Sequence, residues 1–165
     1  MIFREWAIPK TPSQLRDIIG LAILNCPRRT FPSTVVDSNP FFDFEGIFYT
    51  MQRGVENLRK RLGDRNTDQL LDMLAQAKAR HEEGWRLTGG KESPKDKPKW
   101  WESKDAPIEM PGWWQRRLGN ALLQDMQMII IKRQPWAYPK ELYRWGVDPS
   151  LPELSEADLL GKGDD

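Results

Sequence analysis

The stretch FEGIFYTMQRGVENLRKRL, residues 44 to 62, constrains the fold more than any other part of the chain. Phe44, Ile47, Phe48, Met51, Val55, Leu58 and Leu62 recur at steps of three and four residues, so one helical face is apolar while Arg53 and Lys60 stand on the other. A helix of this length draws most of its stability from covering such a face, so the chain must supply neighbours for it. Asp43 is placed to cap its start, and Gly63 can take the left-handed backbone that ends it. DRNTD then reads as a short turn into QLLDMLAQAKARHEEGW, where Leu70, Leu74, Ala77 and His81 make a second stripe with Leu71 and Trp85 beside it. Two amphipathic helices joined this closely are expected to pack as an antiparallel hairpin.

Further helices flank the pair. In TPSQLRDIIGLAILNCP, Thr11 is the expected N-cap, Pro12 takes the first helical position and Gln14 completes a capping box. Leu15, Ile18, Ile19, Ala22 and Ile23 form its inner face, and Pro27 ends it before a short extended piece at Ser33 to Val36. Near the other end, Pro111 and Gly112 open GWWQRRLGNALLQDMQMIIIKR, with Trp114, Leu118, Ala121, Leu122, Met126 and Ile129 inward and Pro135 as the stop. Residues 86–111 lose all periodicity and read as a long irregular loop. Short helices are expected at PKELYRWG and at SEADLL, the latter capped by Ser155 and Asp158, before a charged tail at 161–165. The fold expected is mainly α: one domain spanning 1–165, a bundle of about four principal helices with short C-terminal elements.

A chain of 165 residues removes about two-thirds of its unfolded surface from water on folding, which is enough for a true core. The net charge of +1 withholds the strong positive field of a dedicated nucleic-acid binder. Charge is nonetheless uneven: residues 84 to 117 carry eight Lys or Arg against five acids, and residues 134 to 165 carry three against seven. Cys26 is the only cysteine, which excludes an intramolecular disulfide and a cysteine-cluster metal site. The N-terminal MIFREWAIPK has no apolar run of signal-peptide length, and MIII at 128 to 131 is too short to span a bilayer, so a cytoplasmic protein is expected.

The residues offer little catalytic chemistry. His81 is the only histidine, and HEEGW lacks the second imidazole of a zinc helix. Its place on an apolar stripe marks it as structural. LTGGKES has glycines before a lysine but lacks both the first glycine and the hydroxyl residue of a phosphate loop, so it reads as a turn. Asp37, Asp43 and Glu45 cluster around FFDFE and, with His81, are the best available catalytic candidates; capping of the following helix accounts for Asp43 and Glu45 equally well. No cofactor or metal motif is present in the sequence.

Two tryptophan pairs, Trp100 with Trp101 and Trp113 with Trp114, bracket the end of the loop. Adjacent helical residues point about a hundred degrees apart, so Trp114 enters the core while Trp113 stays at its edge. Trp101 is expected to staple the loop, whereas Trp100 is divided evenly between packing and contact with a partner. Trp136, Tyr138, Tyr143 and Trp145 form another aromatic group, whose spacing suggests packing back onto the bundle. The expected protein-binding residues are Trp100, Trp101, Trp113, Arg116 and Arg117, with Glu153, Glu156 and Asp158 as an acidic face toward a basic partner.

The leading functional expectation is a non-enzymatic module that binds another protein. In size and make-up the chain resembles bacterial immunity and inhibitor proteins, a resemblance of general character that implies a toxin or enzyme as partner and assigns no residue roles. The alternatives are a divergent carboxylate-dependent hydrolase built on Asp37, Asp43, Glu45 and His81, and a nucleic-acid binder using Arg53, Arg59, Lys60, Arg61, Arg116 and Arg117.

Overall fold

The computed structural model describes residues 1–31, 40–91 and 110–139. Four long helices carry the architecture: α1 (Pro12–Asn25), α2 (Phe44–Asn57), α4 (Asp64–Thr88) and α5 (Pro111–Ile130), with α3 (Arg59–Leu62) a single turn between α2 and α4. Two-residue strands β1 (Thr30–Phe31) and β2 (Phe42–Asp43) pair antiparallel, Thr30 opposite Asp43 and Phe31 opposite Phe42. The fold is mainly α with four principal helices packed together, as the stripes predict.

Local chemistry sets the helix starts. Thr11 Oγ1 accepts from Gln14 N at 3.2 Å, and Gln14 Oε1 returns a bond to the amide of Lys10 at 2.9 Å, a capping box displaced by one residue from the expected amide. Asp43 Oδ1 accepts from Gly46 N at 2.7 Å and from Ile2 N at 2.9 Å, so one carboxylate caps α2 and ties the N-terminal segment to it. The α2 stripe, from Phe44 to Leu62, is buried throughout, as are Leu70, Leu74, Ala77 and His81 of α4 and the six expected inward residues of α5.

The expected hairpin is present. Glu45, early in α2, pairs at 2.7 Å with Lys78, late in α4, which fixes the antiparallel sense. The most extensive contact, however, is α4 against α5. Gly84 lies under Arg116 and Gly112, and Gly119 under the His81 ring, so these helices also run antiparallel and approach closely where side chains are missing.

Three expectations need correction. The helix expected over residues 44 to 62 is interrupted at Leu58, which leaves helical geometry at φ −97°, ψ 10°. DRNTD is no turn: Gly63, at φ 84°, ψ 154°, makes the reversal alone and α4 starts at Asp64. The loop expected from residue 86 is helical at its start, because α4 continues to Thr88 and Gly89 ends it in the left-handed conformation. LTGGKES therefore contains a helix terminator, with Gly90 N bonded to Trp85 O at 3.1 Å. The extended piece at Ser33 to Val36 and the short helices expected beyond Pro139 lie outside the described residues.

Candidate functional site: a tryptophan-walled groove on α5

The outer side of α5 meets the segment that follows it. Pro135 turns the chain back, and residues 136–138 are held by two buried polar groups. Asp125, 1% exposed, accepts three successive backbone amides: Trp136 N at 2.8 Å and Ala137 N at 2.7 Å on Oδ1, and Tyr138 N at 2.8 Å on Oδ2. Burial raises the pKa of this carboxyl, and the three amide donors pull it the other way. Arg80 of α4, also buried, donates to the Tyr138 hydroxyl at 2.8 Å and to Gln115 Oε1 at 2.9 Å, joining α4, α5 and the returning segment.

On this fixed backbone Tyr138 points into the core while Trp136 is 75% exposed. The expectation that Trp136 packs onto the bundle is thus corrected: the amides of 136–138 are anchored, and the indole is left outside. Tyr138 packs as expected, whereas Tyr143 and Trp145 lie outside the described residues.

Trp136, Ala137, Trp113, Arg117, Asn120, Ala121 and Gln124 line a groove of about 460 Å³. Trp113 is half-buried under the Arg116 guanidinium, 4.4 Å from the ring centre, and Arg116 Nη1 also donates to Lys91 O at 2.8 Å. Trp114 is buried, with Arg117 stacked 5.4 Å from its ring centre, while Arg117 itself is exposed. Two indoles and a guanidinium thus share one concave surface. These are the residue types that dominate binding energy at protein interfaces.

Of the expected binding residues, the structure brings Trp113 and Arg117 to the groove and sets Arg116 behind Trp113. Trp100, Trp101, Glu153, Glu156 and Asp158 lie outside the described residues, as does Asp37 among the catalytic candidates. The other three candidates have structural duties. Asp43 caps α2, Glu45 pairs with Lys78 on the surface, and His81 is wholly buried between α4, α5 and Phe48. Burial, then the charge of Arg116, pushes the His81 pKa down to about 3, with Asn120 opposing. Among the described residues, no three His, Cys, Asp or Glu side chains are arranged to hold a metal ion, and no helix is long and apolar enough to cross a membrane. Arg59 is paired with Asp64 and Asp68, and Arg53 with the Tyr49 hydroxyl.

Sequence reasoning missed Asp125 as the residue that positions the groove, although a signal was available. Asp125 lies three and four residues after Leu122 and Ala121, so it is an acid on the inward stripe of α5, where a carboxylate needs donors. The chain matches no protein-family profile, no curated protein and no solved structure.

Proposed function

We propose that the protein is a non-enzymatic, cytoplasmic binding module that acts by occupying another protein, in the manner of an immunity or inhibitor protein blocking a toxin or an enzyme. The observation that carries this reading is the groove in which Trp113, Trp136 and Arg117 converge over a backbone pinned by Asp125. An exposed indole on a rigid backbone loses little conformational freedom when a partner covers it, so more of the contact energy appears as affinity. The structural employment of Asp43, Glu45 and His81 supports the same reading, because each has a folding role that accounts for it.

Affinity capture from the source organism with the full-length protein as bait, run beside Trp136→Ala, tests the proposal. A partner recovered in stoichiometric amount by the native protein and lost with Trp136→Ala, at an unchanged melting temperature, is the expected result. Equal recovery by both proteins, or recovery by neither, contradicts it.

A further inference from the structure

The groove has a definite charge character. Arg117 lines it as a cation, and the Arg116 guanidinium stands over the Trp113 ring with Nη1 donating to Lys91 O. The Asp125 carboxylate is buried, and both its oxygens are committed to backbone amides, so it is not free to answer Arg117. Among the described residues Arg117 is the only charged one that lines the groove; Asn120 and Gln124 add polar side chains, and Ala121 and Ala137 are its small lining residues.

We infer that this groove takes an acidic segment of a partner protein, with one bulky apolar side chain seated between Trp113 and Trp136 and a neighbouring carboxylate on Arg117. The inference rests on the binding-module reading and adds the chemistry of the partner to it. A guanidinium meets a carboxylate through two parallel N–H donors, which fixes the orientation of the bound segment as well as its charge. The volume, about 460 Å³, falls within the range of sites that enclose a small ligand or anchoring side chain. A nucleic acid would satisfy the indoles by stacking, but its affinity grows with the number of phosphates contacted, and among the described residues the groove offers one lining cation.

The test is selection of short random peptides on the immobilised full-length protein, with counter-selection on Trp136→Ala and a single-stranded oligonucleotide as competitor. Enriched peptides should carry Asp or Glu next to Leu, Phe or Trp. They should bind roughly tenfold or more weakly to both Arg117→Glu and Arg117→Gln, provided the melting temperatures match the native protein. Basic or uncharged enriched sequences, no enrichment over Trp136→Ala, displacement by the oligonucleotide, or indifference to both Arg117 variants would each overturn the inference. A captured partner that depends on Trp136 but tolerates Arg117→Glu would sink the acidic-segment inference and leave the binding reading standing.

Discussion

At the scale of single residues, His81 shows how far a pattern can be trusted. Its stripe placed it inward, and it is wholly buried against Phe48 and Gly119. The unfolded chain binds a proton at the ordinary value of 6.5, while the folded chain resists it down to about 3. Stability from this group is therefore complete above the unfolded value and is lost as the pH falls through 6.5 toward 3. The loss has a limiting slope of about 1.4 kcal/mol per pH unit. Chemical denaturation of the native protein and His81→Gln between about pH 7 and about pH 4 should show a steeper fall for the native protein; parallel curves would contradict the assignment. Asp43 was legible as a cap because it stands directly before the apolar stripe that starts at Phe44, yet its second bond, from Ile2 N, joins residues 41 positions apart and leaves no local trace. For Asp125, replacement by Asn turns a donor toward the Tyr138 amide and should cost about 1 to 3 kcal/mol in urea melts. It should also weaken partner binding without touching the partner, because the lost Tyr138 anchor loosens the segment that carries Trp136.

At the scale of elements, the helices were readable because their apolar period is strong, and the misreadings arose where the neighbours decide. The break at Leu58 keeps Leu58 and Leu62 buried, so the hydrophobic pattern runs through it unchanged. The strands are two residues each, too short for any alternation to register. α4 is covered on two sides, by α2 and by α5, so its buried arc extends beyond the apolar stripe to Asn66, Thr67, Gln69, Gln76 and Arg80, which a sequence reading assigns to solvent. The α4–α5 seam also depends on absent side chains. A Cβ on Gly84 would lie 2.5 Å from Arg116 Cγ and 2.9 Å from the Gly112 carbonyl oxygen, and one on Gly119 would lie 2.7 Å from the His81 ring. Gly84→Ala meets backbone and should force the helices apart, lowering stability by about 1 to 3 kcal/mol despite the better helix propensity of alanine. Thermal unfolding measures this directly, and an unchanged or raised melting temperature would show that the seam has slack.

At the scale of the whole molecule, near-neutral charge and a helical bundle are compatible with many roles, and they direct attention to surfaces rather than to a catalytic centre. The residues of the groove come from two places, α5 and the returning segment at 136–139, whose juxtaposition depends on Asp125 and Arg80. Trp113 was legible as an edge residue from helical geometry alone. Trp136 was not, because its exposure follows from which amides Asp125 captures eleven to thirteen residues earlier in the chain. Because Trp136 is 75% exposed, its truncation should change folding stability by less than about 0.5 kcal/mol. Its truncation should also cost about 2 kcal/mol or more of binding, since an indole at the rim of a rigid groove has the character of a hot spot. Titration calorimetry of the captured partner against the native protein and Trp136→Ala, with melting temperatures recorded on the same preparations, sets these two quantities side by side. The groove account predicts a dissociation constant raised roughly thirtyfold with an unchanged melting temperature; equal affinity for the two proteins would contradict it.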